Sequence, residues 1–369
     1  MQIPFVNLRL QYESIQKEID EAVKEVFSTS QFIGGEFVKK FENEFAALHQ
    51  VKHCIGTGNG TDALFIIFKA LGIKEGDEVI TPAFSCIASA EVISLVGAAP
   101  VFAEINSSYY TIDPASVERK ITPKTKAIIA VHLYGQAAPV SRLKEICTKY
   151  NLFLIEDCAQ AHLTKENEKL VGSTGIASAY SFYPTKNLGA YGDAGCILTQ
   201  DEALAEKMRR LANHGALLKD DHAIEGMNSR LDSLQAAVLS VKLKYLQNWN
   251  QSRIQIAHQY NNLLKSCHGI ILPAVRNNTI HTFHIYSIRS SRRDSLKKFL
   301  DSKEINTLIH YPKGLPFTKA YQYLNHKPQD FLVTSQLQEE QLSLPIFPEL
   351  TAEEVTCIAE NILHYFRAK

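Results

Sequence analysis

Between about residues 50 and 200 the chain alternates short, nearly unbroken apolar runs with longer stretches whose apolar positions recur every three or four residues. The seven runs are Cys54-Ile55, Glu78 to Thr81, Val101 to Ala103, Ala127 to His132, Leu152 to Glu156, Ala179 to Phe182 and Cys196 to Thr199. Their continuity predicts strands covered on both faces, because a strand with one wet face alternates apolar and polar side chains. Helices are predicted between them: Asp62 to Leu71 follows the Gly60-Thr61 turn, and Ser141 to Tyr150 carries Leu143, Ile146 and Cys147 at helical spacing. This alternation predicts an α/β fold, with a mostly parallel seven-stranded sheet flanked by helices.

After Cys196 the pattern changes. Asp201 to Ala212 reads as a charged helix, and Leu231 to Asn248 as a long one striped by Leu234, Ala237, Val238, Val241 and Tyr245. Trp249 to Lys265 continues as another helix. Ile270 to Pro273 and Phe283 to Ile288 then open a smaller α+β region that closes on a helix from Ala352 to Phe366. No Gly/Ser/Pro-rich linker marks the change, so the boundary is expected inside a helical connection. A large domain spans 1–245, including an N-terminal arm and a helix from Tyr12 to Phe27, and a small C-terminal domain spans 246–369.

Composition narrows the function classes. With 369 residues, 45% of them apolar, and 39 basic against 39 acidic side chains, the chain reads as globular rather than disordered or coiled coil. Zero net charge without a dense Lys/Arg block leaves no electrostatic footprint for nucleic acid or an anionic membrane. An acidic ligand must then be held by a local site. Apolar stretches such as Ala127 to Val131 fall far short of the ~20 residues of a spanning helix. Met1-Gln2-Ile3-Pro4 lacks the basic start and apolar core of an export signal. The seven scattered cysteines include no Cys-x-x-Cys pair, which fits a reducing cytoplasm.

Three segments carry candidate chemistry. Gly56-Thr57-Gly58-Asn59-Gly60-Thr61-Asp62 follows a strand and opens a helix, so its amides and the Thr61 hydroxyl could cradle a phosphate; a tight turn without ligand is the equal alternative. Leu154-Ile155-Glu156-Asp157 ends another strand, where ligands of α/β sheets bind. Neighbouring strand residues face opposite ways, so at most one of the two carboxylates enters a pocket, and a helix N-cap is the equal alternative for Asp157. Ser181 to Gly195 places Lys186 just past a strand end, between Pro184 and three glycines, where the chain can bend around a ligand. An amine, a carboxylate and a phosphate nest are together what pyridoxal 5′-phosphate (PLP) needs, for its aldehyde, its pyridine nitrogen and its phosphate.

These motifs, with Glu156-Asp157-Cys158-Ala159-Gln160-Ala161-His162 and Ser181-Phe182-Tyr183-Pro184-Thr185-Lys186-Asn187-Leu188-Gly189-Ala190, resemble the PLP-dependent nucleotide-sugar aminotransferases of the DegT/DnrJ/EryC1/StrS group, which have the aspartate-aminotransferase fold. The likeness runs from Ile3-Pro4-Phe5-Val6 to Leu342-Ser343-Leu344-Pro345. It implies that Lys186 takes the cofactor aldehyde, Asp157 pairs with the pyridine nitrogen, and Gln160 lies against the ring hydroxyl. Gly60, Thr61, the Asp62 backbone and Ser181 would hold the phosphate, and Asn228, with Arg230 as a further candidate, would reach it from the other subunit of a homodimer. Tyr183, His310, Tyr311 and Arg230 are the candidates for the sugar-nucleotide pocket. One position departs from the pattern: Cys86 stands where the family places an aromatic residue on the cofactor ring, with Phe84 as a candidate substitute on the same face.

Asn59-Gly60-Thr61-Asp62-Ala63-Leu64 and Gly192-Asp193-Ala194-Gly195 resemble the subgroup acting at C-3. The implied reaction moves an amino group from glutamate to a 3-keto-6-deoxy hexose on dTDP, with a UDP-linked 3-keto sugar or a 4-keto sugar as alternatives. His132, His162, His214, His284 and His310 show no metal-ligand spacing, so no metal is expected. A non-catalytic regulator of the same fold would fit better without Lys186. A nicotinamide oxidoreductase would need a dinucleotide glycine fingerprint that the chain lacks.

Overall fold

The computed structural model describes residues 2–367. All seven apolar runs become strands of one sheet: β1 (His53–Thr57), β2 (Glu78–Pro82), β3 (Ala99–Ala103), β4 (Thr125–Val131), β5 (Phe153–Asp157), β6 (Ala177–Ser181) and β7 (Gly195–Thr199). Their order is β1-β7-β6-β5-β4-β2-β3. Only β7 runs against its neighbours; the other pairings are parallel. Parallel neighbours need crossovers, and the helical stretches supply them: α3 (Gly60–Leu71), α4 (Ala88–Leu95), α5 (Pro114–Lys120) and α6 (Val140–Tyr150). Ile129, Ile155 and Ile197 are buried in the middle strands, as their uninterrupted apolar neighbours predict.

Three expectations need correction. The first fifty residues hold two helices rather than one: α1 runs Leu8–Thr29, capped by Asn7, and α2 runs Gly35–His49. The α2 register buries Phe41 and Phe45, four residues apart, against Tyr180 and Phe182. The long helix expected over 231–248 is shorter, because Ser233 N–H donates to the Phe32 carbonyl and Ile33 bridges Asp232. Helix α8 therefore starts at Ser233, after α7 (Glu202–Ala212), and ends at Leu243, where Lys244 and Tyr245 make tighter i−3 hydrogen bonds, and α9 continues over Leu246–Leu264. Finally, the N-terminal arm assigned to the larger part lies on the other core: Ile3 pairs with Ile305 and is fully buried among Tyr260, Tyr286 and Ile358.

That second core is built by α9, α10 (Arg293–Ser302), α12 (Ala352–Arg367) and an antiparallel pair, β8 (Tyr286–Arg289) with β9 (Gln341–Leu344), the latter entered from α11 (Leu332–Glu340). Strand β9 escaped the sequence reading because Gln341-Leu342-Ser343-Leu344 is short and half polar, although all four residues are buried. No helix among the described residues is long and apolar enough to cross a membrane.

Candidate active site

The C-terminal ends of β1, β4, β5 and β6 surround a cavity of about 530 Å³, lined among others by Thr61, Cys86, Asp157, Gln160, Ser181 and Lys186. Chemistry-bearing residues from four separate stretches thus meet at the sheet edge where open α/β folds bind ligands.

The glycine-rich turn forms one wall. Asn59 caps α3, its Oδ1 accepting the Asp62 N–H at 2.8 Å. The Asp62 amide expected on a phosphate is therefore engaged, and the first intrahelical bond is Ala63 N–H to the Asn59 carbonyl. Gly60 and Thr61 precede that bond, so their amides are the ones the helix does not use. A side chain at Gly60 would meet Ser181 Cβ at 2.7 Å, and one at Gly195 would meet the Asn59 carbonyl carbon at 2.4 Å. Only glycines let the turn, the end of β6 and the start of β7 close on one another. From behind, Glu42 accepts the Gly56 N–H at 2.7 Å and pairs with Arg209.

The two carboxylates at the end of β5 part company as strand geometry requires. Asp157 lines the cavity and accepts the Ala159 N–H at 3.0 Å, a local turn rather than a helix cap. Burial raises its pKa, while the Ala159 amide, Lys186 and His132 oppose the rise. Glu156 faces away, fully buried, and accepts the Gly172, Thr174 and Gly175 amides and His132 Nε2. Burial pushes its pKa up, but His132 and those amides hold it below the usual range. His132 Nδ1 accepts the Ala138 N–H, which puts the imidazole proton on Nε2, toward Glu156. His132, Glu156 and Cys158 come within 4.8 Å of one another, a cluster that sequence spacing did not reveal. The Glu156 oxygens in it are already hydrogen-bonded.

Lys186 sits on a loop held at several points. Its own N–H donates to the Tyr183 carbonyl at 2.8 Å. The next residue, Asn187, donates to Asn250 Oδ1 and the Thr282 carbonyl and accepts from His284 Nδ1. Burial lowers the Lys186 pKa, with Cys86 and Asp157 pulling it back up. A partly desolvated amine facing a carboxylate across a cavity is suited to attack a carbonyl and then to carry a proton.

Gln160 Oε1 accepts the Tyr134 N–H at 2.7 Å and its Nε2 donates to Tyr311 Oη at 3.0 Å, which leaves one amide hydrogen for a ligand. Tyr183 lines the cavity. His310 is tied to Ser343 Oγ at 2.9 Å, and Tyr311 stands behind Gln160. Cys86 lines the cavity, whereas Phe84 is fully buried beside Tyr311, its ring centroid 6.3 Å away, and is not part of the lining. Phe84 therefore does not replace the missing aromatic.

Asn228 and Arg230 are not brought into the cavity of their own chain. Asn228 is exposed, on a segment that pairs with Asn213, and Arg230 Nη1 donates to Asn213 Oδ1. Ser229, which from its position before the helix could equally have been a cap, instead anchors that segment to the glycine-rich turn by accepting the Gly58 N–H and donating to Asp62 Oδ2 at 2.7 Å.

Residues 13–363 match the DegT/DnrJ/EryC1/StrS aminotransferase family. The chain belongs to that family. It is 44% identical over 363 residues to the dTDP-3-amino-3,6-dideoxy-alpha-D-galactopyranose transaminase of Aneurinibacillus thermoaerophilus, covering 98% of this chain and 99% of that protein. It is also 44% identical over 369 residues to a pleiotropic regulatory protein of Geobacillus stearothermophilus, covering 100% and 99%. The X-ray structure of S. venezuelae DesV in complex with a ketimine intermediate superposes with a TM-score of 0.97 at 38% identity, covering 99% of this chain and 98% of that one. The family likeness read from the motifs at Lys186, Asp157 and Gly60 thus extends to the whole fold.

Proposed function

We propose that the protein is a PLP-dependent aminotransferase that moves an amino group from glutamate to the 3-keto group of a nucleotide-linked hexose, with a dTDP-linked 6-deoxy sugar as the preferred acceptor. The observation that carries this reading is the gathering of Lys186, Asp157 and the α3 N-terminus around one cavity of about 530 Å³. The cavity suits the cofactor: the Gly60–Ser181 contact, which a Cβ would fill, leaves a backbone-lined cradle at one end, and a buried carboxylate stands at the other.

PLP, when bound, supplies an electron sink that makes the proton on the amino-bearing carbon of the donor labile. Asp157 holds a proton at the pyridine nitrogen, so that this sink stays charged. Gly60, Thr61 and Ser181 hold the phosphate, and Gln160 orients the ring hydroxyl with its remaining N–H. Lys186 would hold the cofactor by its aldehyde, and its Nζ, when free, would carry a proton between neighbouring carbons of the bound donor. Donor and acceptor use the same place in turn, so the kinetics are ping-pong. Tyr183 borders the acceptor's side, and His310 and Tyr311, which are not among the residues lining the cavity, support it from behind.

The active unit is a homodimer with shared sites, in which Asn228, with Arg230, completes the phosphate end of the partner's cavity. The exposure of Asn228 on an anchored segment supports this, as do exposed apolar residues nearby in the chain, Leu217, Leu218 and Ile224. Its seven free cysteines suit a reducing cytoplasm.

The name of the Geobacillus relative favours a second reading, a regulator without catalysis, which the same experiment separates. Purified protein with PLP and glutamate is offered a dTDP-linked 3-keto-6-deoxy hexose, a UDP-linked 3-keto-2-acetamido sugar and a 4-keto sugar, and amino sugar and 2-oxoglutarate are measured. The dTDP-linked 3-keto substrate should give the highest kcat/KM. No turnover of any of them would favour the regulator, and a preferred 4-keto sugar would overturn the assignment to C-3.

A further inference from the structure

Lys242, on α8, is fully buried, which is a costly place for an ammonium unless its protons are well used. Its Nζ donates to the Gly189 carbonyl at 2.7 Å and lies 3.9 Å from the centroid of the Tyr191 ring. Both partners belong to the loop that carries Lys186. Burial lowers the Lys242 pKa to about 7 while Glu349 pulls it back up, and one Glu349 oxygen is itself buried without a hydrogen bond, so the protonated form depends on the carbonyl and the ring that face it. Arg253, also buried, donates to the Ile346 carbonyl and shares the field of Glu349. On the far side of Tyr191 stand Tyr12, at 6.1 Å between centroids, and Asp20, which accepts from Tyr12.

The loop transmits a pull at Gly189 to the lysine. It is folded so tightly that a side chain at Gly189 would meet the Pro184 carbonyl oxygen at 2.2 Å. Pro184 to Gly189 is therefore one compact turn that carries Lys186 and, after it, two tethers, Asn187 toward α9 and Gly189 toward α8.

We propose that Lys242 is a positioning residue, whose ammonium, by holding the Gly189 carbonyl and the Tyr191 ring together, fixes the turn from which Lys186 reaches the cavity. This rests on the reading of Lys186 as the residue that takes the cofactor aldehyde. A neutral side chain of similar length fills the space but leaves the Gly189 carbonyl unpaired and the ring without its cation. Arginine keeps both interactions.

The test compares Lys242→Met and Lys242→Arg holoenzymes. Lys242→Met should lower kcat about tenfold or more with the acceptor's KM within about twofold, and Lys242→Arg should recover most of the loss. Lys242→Met should also move the pH midpoint of the bound cofactor's visible absorption by about half a unit or more, because a turn that is no longer held lets the Lys186 side chain settle in more than one orientation. An unchanged kcat and midpoint in Lys242→Met, or equal losses in both variants, would overturn the proposal. If Lys242→Met does not fold, Tyr191→Leu decides: a smaller shift of the midpoint supports the proposal, and none refutes it. Lys186→Ala is the control, since an unaltered visible band in that variant would refute the reading of Lys186 and not the role of Lys242.

Discussion

The two sides of the β5 end meet the same problem, a buried carboxylate, and solve it differently. Behind the strand, Glu156 accepts from three backbone amides and a histidine, all within 3.1 Å. In front, Asp157 accepts from one amide and lines the cavity. A carboxylate whose oxygens are saturated by the chain is a fastener; here it pins residues 172–175 to the strand. One left with unused acceptor capacity in a cavity is ready for a cationic partner. The difference separates fold from chemistry within two adjacent residues.

The comparison can be broken first at the front. Lys186→Ala should reduce transamination by about 10³-fold or more while the protein still folds, because the loss is a nucleophile and proton carrier on a loop. Near-normal turnover of purified variant would remove Lys186 from the chemistry. Next, Asp157→Asn should lower kcat about 10²-fold with the cofactor still bound, since the amide cannot keep a proton on the pyridine nitrogen while the phosphate end is intact. Unchanged turnover would move that role elsewhere.

The back of the strand should respond in stability instead. Glu156→Gln puts an NH₂ where backbone donors point, and should cost about 2–3 kcal/mol in denaturant unfolding, with kcat of the folded fraction close to normal. A large loss of kcat with unchanged stability would reverse the contrast.

Acid should also act on the back of the site. Burial lowers the His162 pKa to about 3, with Lys186 and His49 adding to the drop and the Ser181 backbone opposing it. Its unfolded value is about 6.5, so the unfolded chain binds the proton first. Stability is full above that value and falls by up to about 1.4 kcal/mol per pH unit, for this group alone, as pH drops from about 6.5 toward 3. His49, lowered to about 4 by burial, adds to the slope. His162→Leu should flatten the slope in a stability titration, and an unchanged slope would exclude His162 as a cause.

The smallest expected effect is at Cys86. Cys86→Tyr supplies ring contact worth about 0.5–1.5 kcal/mol, so PLP should dissociate up to about tenfold more slowly. Faster loss would mean that the small residue is required there.

The central sheet was legible because buried parallel strands are written as continuous apolar runs, and all seven were found in place. The positions of Lys186 and Asp157 were legible for the same reason, since both follow such runs. Boundaries set by distant partners were not. The start of α8 depends on Phe32, about two hundred residues earlier, and the burial of Ile3 depends on Ile305. The links of Glu42 and Ser229 to the glycine-rich turn were not legible because each reaches it from a distant part of the chain. By contrast, the loss of the Asp62 amide to Asn59 could have been read locally, from an asparagine three residues before it at a helix start.

The most direct measurement is chemical. Borohydride reduction of the PLP-loaded enzyme, followed by proteolysis and mass mapping, fixes the cofactor to whichever lysine holds its aldehyde. The label is predicted on Lys186 alone, with loss of the visible absorption and of activity. A label on another lysine, or none at all, would contradict the account.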